Sequence, residues 1–264
     1  MSRKHAGKKK RQTVDEEIHT IVEDIEQNTK KSWCFNFKIQ NPFQLNDVHN
    51  SFLELIQYKD TKMIFVDGPA GTGKSYLAVL GALKLLLSRQ TEQIIYIRSI
   101  VESASRSMGS LPGELHEKFH PWSLPLLEKL DEIVGPKVSA ELLKDEYVKC
   151  LPVNFVRGLT FRNSIVIVDE SQNLTTGELT TILTRFGDNT RYIIIGDSRQ
   201  SDINGKSGYK PIVGVFNNAE CESNGIHVFH FGENEIVRSA ILKLIVKQLD
   251  NLPQKKNVAE QAVL

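Results

Sequence analysis

With 264 residues, 40% of them hydrophobic and 25% charged, the chain holds enough apolar material for a sizeable core, which excludes collagen-like, disordered and disulfide-scaffold classes. No apolar run approaches the ~20 residues that cross a bilayer, and the opening MSRKHAGKKKRQ lacks a signal peptide's apolar segment, so no membrane partner is expected. Cys34, Cys150 and Cys221 are few and far apart, which suits a reducing, cytoplasmic setting and gives no zinc spacing.

The formal charge is +1, from 33 bases and 32 acids. Arg3, Lys4, Lys8, Lys9, Lys10 and Arg11 fall in the first 11 residues with no acid among them, leaving 27 bases against 32 acids on the rest. The body is therefore no general polyanion binder, and a nucleic-acid contact needs a local patch or the tail. After the tail, Ile18, Ile21, Val22 and Ile25 recur at helical spacing and predict a short amphipathic helix. These first 40 residues precede an extended segment and a helix that begins near Gln44 or Leu45.

From residue 62 the pattern alternates. KMIFVDG, QIIYIRS, SIVIVDE, RYIIIGD and IHVFHF read as strands. SYLAVLGALKLLLSR, LTTILTRF and ENEIVRSAILKLIVKQLD read as helices, the last burying Ile236, Ile241, Leu244 and Ile245. Continuous β-branched runs between helices predict a mostly parallel sheet covered on both faces, an α/β fold. Residues 101–160 interrupt it as a Gly/Pro-punctuated insertion with helical stretches around 113–120, 123–133 and 139–146. One core over 41–249 and a loose tail over 250–264 complete the expected organisation.

GPAGTGKS lies between the first strand and an apolar helix. It comprises Gly68, Pro69, Ala70, Gly71, Thr72, Gly73, Lys74 and Ser75, a phosphate-binding loop. Its glycines let backbone N–H groups turn onto phosphate oxygens at a helix N-terminus. Lys74 reaches the β- and γ-phosphates, the Ser75 hydroxyl ligates Mg2+, and Tyr76 follows on the helix as a further cofactor-binding residue. The strand IVIV ends in Asp169 and Glu170 at the edge where open α/β sheets place ligands. Asp169 is assigned to the magnesium and Glu170 to the attacking water. An acid directly after the metal aspartate favours an ATPase over a kinase or GTPase switch, and no guanine-reading Asn-Lys-x-Asp occurs. Asp197 and Gln200, in IIIGDSRQSD, are placed to sense the γ-phosphate or water, with a cap and turn as the plain alternative.

GPAGTGKS, MGSLPGELHEKFHPW, FVRGLTF, IVIVDESQN, LTRFG and IIIGDSRQSD, in this order, resemble the PhoH-like family of P-loop ATPases, itself similar to the first motor domain of superfamily 1 helicases. The resemblance spans about 41–249 and implies a RecA/helicase-like P-loop NTPase fold. It puts Asp169, Glu170 and Gln172 on the family's Asp-Glu-Ala-Gln element, with Ser171 where alanine is usual, and Asp197 and Gln200 on its Gly-Asp-x-x-Gln element. Gln44 falls roughly where related helicases read adenine. Some relatives carry a PIN nuclease domain; about 60 residues before the first strand are too few for one.

The resemblance also implies an arginine against the transferring phosphoryl. Arg157, Arg185 and Arg238 occupy family motif positions, with Arg238 first and Arg185 second; Arg98 and Arg106 are read as nucleic-acid phosphate contacts. HEKFH has the spacing of a zinc protease, yet Pro121 is expected to cut its helix short and no third ligand is signalled. Phe119 and Trp122 either stack on bases or pack in the core. The expected function is ATP hydrolysis with Mg2+ by Lys74, Glu170, Gln200 and an arginine, coupled to single-stranded RNA or DNA. A homo-oligomer is expected, by analogy a ring of six. The alternatives are a nucleotide-gated RNA- or protein-binding module with little turnover and, behind it, a ribonuclease.

Overall fold

The aliphatic runs that the sequence alternates with helices lie side by side in a computed structural model. It describes residues 37–40, 44–99, 115–200, 203, 206–237 and 248, with backbone alone for 115–122. The basic tail and the predicted helix around Ile18–Ile25 lie outside the described residues.

Six strands form the sheet: β1 (Met63–Asp67), β2 (Gln93–Arg98), β3 (Val148–Pro152), β4 (Ser164–Asp169), β5 (Arg191–Gly196) and β6 (Ile226–His230). Their order is β3-β2-β4-β5-β1-β6 and every pairing is parallel. Ile165, Val166, Ile167 and Val168 are fully buried, because a parallel sheet is covered on both faces and has no room for a polar alternation. Phe65, Val166, Val168 and Ile194 pack with α5 (Thr176–Leu183) and α6 (Tyr209–Phe216) on one face. The alternate residues Ile64, Val66, Ile165 and Ile167 turn to the other, where α2 (Lys74–Leu87) crosses β2, β4 and β5.

Helix α2 is apolar nearly all round, as a helix sandwiched between a sheet and other helices must be. One side meets α1 (Asp47–Gln57), which starts at a capping box between Asn46 and His49. That crossing is close: a Cβ on Gly81 would lie 2.8 Å from the Ile56 side chain. The opposite edge of the sheet is roofed by α3 (Leu115–Val134) and α4 (Pro136–Lys144). Helix α3 buries Leu126, Leu130, Ile133 and Val134.

The structure departs from the sequence reading in the region 101–160. Helix α3 runs unbroken through Pro121 and Pro125, where two helices are expected. A proline removes one N–H and bends a helix, yet the helix continues past both, and its later turns are anchored by buried Leu126, Leu130, Ile133 and Val134. The zinc argument from a short helix therefore falls, although the side chains of His116 and His120, like those of Phe119 and Trp122, lie outside the description. Strand β3 falls where the sequence predicts only insertion. VKCLP has little β-branched character, and its middle residues are only half buried, because it is an edge strand covered on one flank. Helix α6 and α7 (Ala219–Ser223) are also absent from the sequence reading. Ile236 is buried as expected, but it follows a short 3-10 turn, Glu233–Glu235; Ile241, Leu244 and Ile245 lie outside the described residues.

Gly81→Leu is expected to lower stability by at least about 1–3 kcal/mol, the usual penalty for overfilling a packed contact, while Gly177→Ala, with nothing within 4 Å of its Cβ, leaves it within about 1 kcal/mol. Urea unfolding of the two variants checks this.

Candidate active site

Parallel strands bring all their carboxyl ends to one rim, and the chemistry-bearing residues gather there. Asp67 ends β1, Asp197 follows β5, Asp169 ends β4 and Arg98 ends β2. Asp67 pairs with Gly196, and Arg98 with Asp169, in the strand register.

The phosphate loop between β1 and α2 is shaped by its glycines. Gly71 and Gly73 have φ of 86° and 80°, the left-handed region that favours residues without a Cβ. Gly68 answers a different constraint: a Cβ there would sit 2.7 Å from the Phe231 carbonyl oxygen, and Phe231 N–H donates to the Asp67 carbonyl at 2.8 Å. Buried Thr72 donates to the Pro69 carbonyl at 3.0 Å. Val237 N–H donates to the Gly71 carbonyl at 3.1 Å, so the start of the C-terminal segment braces the loop.

Lys74 reaches back inside this loop. Its ammonium donates to the carbonyls of Gly68 at 2.6 Å and Pro69 at 2.7 Å. Burial pushes its pKa below the usual lysine value, and Asp197, Asp169, Glu170 and Asp67 pull it back up. The ammonium thus sits among four carboxylates, and its two carbonyl partners must be exchanged when an anion arrives.

Asp169 is the hub of the rim. Ser75 Oγ donates to its Oδ1 at 2.8 Å, as does the Glu170 N–H at 3.1 Å. The Tyr96 hydroxyl, rising from β2, donates to Oδ2. Burial and the neighbouring Asp169 raise the Tyr96 pKa well above its ordinary value, so it remains a donor. One hydroxyl and one carboxylate oxygen side by side suit a hard divalent cation such as Mg2+, which takes oxygen ligands and retains water. Among the described residues no cluster of three or more His, Cys, Asp or Glu could hold a metal; phosphate and water oxygens would complete the shell.

Glu170 turns away from the strand in the left-handed region, at φ 55° and ψ 39°, a conformation that costs a non-glycine residue. Gln172 donates to its Oε2 at 2.6 Å and accepts from the Asp197 N–H at 3.2 Å. Gln172 thereby links β4 to β5. The Arg98 guanidinium lies 3.8 Å from Glu170 Oε1. Asp67 accepts from the Ser198 N–H and hydroxyl, each at 2.8 Å, which fixes the β5 loop against β1. Asp197 Oδ2 is buried with no hydrogen-bond partner. Such an atom is costly unless something else comes to it.

A pocket of about 400 Å³ opens over these groups. It is lined by the loop, Tyr76, Asp169, Glu170, Gln172, Asp197 and Gln200, and by Arg98 and Lys129 at its β2 side. Lys129, on α3, donates to the Pro125 carbonyl at 2.7 Å, and burial pushes its pKa down. Gln44 is exposed and is not among the lining residues; Leu45 and His49 are.

Two of the three arginines at family motif positions can be located. Arg157 is exposed beyond the edge strand β3. Arg185 follows α5 and bonds the Leu159 carbonyl at 3.5 Å and Thr184 Oγ1 at 3.3 Å, while its own carbonyl accepts from Phe161 N–H. Phe161 precedes β4, so Arg185 sits at the amino-terminal end of the sheet, opposite the phosphate loop, and cannot serve the site of its own chain. Arg238 lies outside the described residues. Arg98, expected from sequence to meet nucleic-acid phosphates, faces Glu170 in the structure. Tyr96 and Lys129 escape the sequence reading altogether. A tyrosine two residues from the end of an aliphatic strand is the available signal for Tyr96, since a buried phenol needs a partner. Lys129 has none.

The profile of the family described as "PhoH-like protein" matches residues 44–250. The chain belongs to the PhoH-like family. A PhoH-like protein of Bacillus subtilis (strain 168) is 34% identical over 192 residues, covering 73% of this chain and 59% of the relative. One of Synechocystis sp. is 33% identical over 198 residues, covering 74% and 58%. This chain thus spans a little over half the length of the curated PhoH-like relatives it matches. Among solved structures, the large terminase from a thermophilic bacteriophage superposes with a TM-score of 0.44 at 10% identity, over 80% of this chain and 50% of the other. Family and geometry together make this a nucleotide-binding, ATPase-type P-loop site. Among the described residues no helix is long and apolar enough to cross a membrane.

Tyr96→Phe keeps the ring and removes the hydroxyl on Asp169. It is expected to destabilise the fold by about 1–3 kcal/mol, because a buried carboxylate oxygen loses its donor, and to weaken Mg2+-dependent nucleotide binding. Urea unfolding and nucleotide titration against Mg2+ measure the two effects.

Proposed function

We propose that the protein hydrolyses ATP with Mg2+ and couples that turnover to single-stranded RNA or DNA, in a reducing, cytoplasmic setting. The observation that carries the reading is the convergence on one rim of Lys74, the Ser75–Asp169 pair and Glu170 linked through Gln172 to Asp197. The β- and γ-phosphates would replace the Gly68 and Pro69 carbonyls as partners of Lys74, and the loop N–H groups and helix terminus would cradle them. Ser75 and Asp169 would hold Mg2+, which supplies charge neutralisation on the phosphate oxygens. Glu170 orients a water and takes its proton as the water oxygen bonds to the γ-phosphorus. The bridging P–O bond then breaks and its electron pair leaves with ADP. Gln172 keeps Glu170 in place, and Gln200 senses the γ-phosphate from the β5 side.

Lys74→Ala is expected to lower turnover about 30- to 1000-fold, the equivalent of ~2–4 kcal/mol of lost charge stabilisation. Glu170→Gln should bind ATP and Mg2+ as the parent does while hydrolysis stops. Steady-state turnover beside nucleotide titration checks both; a glutamine variant that hydrolyses normally moves the base elsewhere.

The position of Arg185 supports a shared site. An arginine at the far end of the sheet can meet a γ-phosphate only on another copy, and identical head-to-tail contacts close into a ring, for which six is the helicase analogy. Arg238, first in the sequence reading, lies outside the described residues and remains the other candidate. Mixing an Arg185→Ala chain with a Lys74→Ala chain should restore activity that neither shows alone, and an Arg238→Ala chain provides the parallel mixture. Absence of recovery in demonstrated mixed assemblies overturns sharing for that arginine.

A further inference from the structure

The nucleotide site holds its own base in check. Glu170 is restrained on three sides: by a left-handed backbone, by the Gln172 amide on Oε2 and by Arg98 against Oε1. Glu170 is thus held through both oxygens, one on an amide and the other facing a guanidinium, which sets how the carboxylate presents itself to a water. Gln172 is buried and anchored to β5, so it is a permanent partner. Arg98 is different. Its side chain is 28% exposed and that of Glu170 41%, so their ion pair is open to solvent, weak in itself and open to exchange.

The strand order says which ligand takes Arg98 away. Arg98 ends β2, three strands from β1 and its phosphate loop, a separation of about 14 Å at the usual strand spacing. Glu170 and Asp169 stand between them. A nucleotide γ-phosphate on Lys74 therefore meets Glu170 from the β5 side, and Arg98 meets it from behind. Lys129 lines the pocket together with Arg98, as do Glu128 and Glu132 of the same helix. A partly exposed guanidinium at such a rim suits an external phosphodiester, whose oxygens match its planar fork.

Resting on the ATPase reading above, we propose that Arg98 is a positioning residue that clamps Glu170, and that a backbone phosphate of a bound single strand takes the guanidinium off it. Strand engagement thereby frees Glu170 Oε1 for the attacking water. Arg98 is the physical link between the strand and hydrolysis, and the basal rate is low because the clamp is closed.

The linkage is reciprocal, so it can be read by binding alone, without nucleotide or Mg2+. Fluorescently labelled oligouridine and oligodeoxythymidine of about 20 nucleotides are titrated against the full chain and its Arg98→Gln, Glu170→Gln and doubly substituted forms over a range of salt. Arg98→Gln is expected to weaken binding about three- to tenfold and to reduce the slope against log salt by about one. Glu170→Gln releases the arginine and should tighten binding by a similar factor, an effect that vanishes in the Arg98→Gln background. In turnover assays Arg98→Gln should raise the basal rate several-fold and abolish stimulation by the strand. Equal effects of Glu170→Gln in both backgrounds overturn the clamp. So does an Arg98→Gln chain with lower basal turnover and unchanged strand affinity, which would assign Arg98 to the nucleotide. A parent chain that binds neither oligonucleotide overturns the coupling while leaving the ATPase reading to its Lys74 and Glu170 variants. Different affinities for the two oligonucleotides identify the sugar preferred.

Discussion

The structure turns on one buried carboxylate. Asp169 receives a hydroxyl from the helix after the phosphate loop, a phenol from β2 and the N–H of the residue that follows it. Two other chain segments, the start of α2 and the end of β2, are thus pinned to a single side chain. Burying a carboxylate is costly unless its oxygens are hydrogen-bonded, and here each donor belongs to an element that the site needs in place. The groups that satisfy the charge are also the groups that aim it.

Around that hub the rim is built by crossing links between neighbouring strands. Ser198 on Asp67 fixes β5 to β1, and Gln172 fixes β4 to the Asp197 backbone. Tyr209 reinforces the arrangement from below. Its hydroxyl donates to the Val66 carbonyl at 2.7 Å, and its ring fills the space where a Cβ on Gly196 would be. Strand ends are ordinarily the loosest parts of a sheet. In this protein they are tied across by Asp67, Ser198, Gln172 and Tyr209, side chains that neighbour the residues of the site.

Much of this is legible in the sequence because it rests on local patterns. β-branched runs mark five strands close to their observed bounds, and GPAGTGKS together with the acids after IVIV locates the site. What escapes depends on tertiary context. β3 pairs only because β2 offers an edge, and VKCLP carries no strong propensity of its own. Helix α3 runs through two prolines, which the local rule for a helix breaker does not anticipate. Tyr96 has meaning only once β2 is known to lie beside β4. Arg98 reads from sequence as a contact to an external phosphate, whereas its register opposite Asp169 sets it against Glu170. Arg185, placed by motif position near the phosphoryl, stands at the other end of the sheet, since a motif fixes order along the chain and not the rim on which a residue emerges.

The parallel pairing of β1 also governs how the chain reaches this state. Met63 pairs with Tyr192 on one side and Ile226 on the other, so the first strand of the chain gains both neighbours only after more than half of the chain has been made. Long loops must close before any of these hydrogen bonds reward them, and such topologies fold slowly. The aliphatic β1 and α2 are therefore synthesised long before their cover exists. During that interval they are exposed surfaces that must avoid self-association.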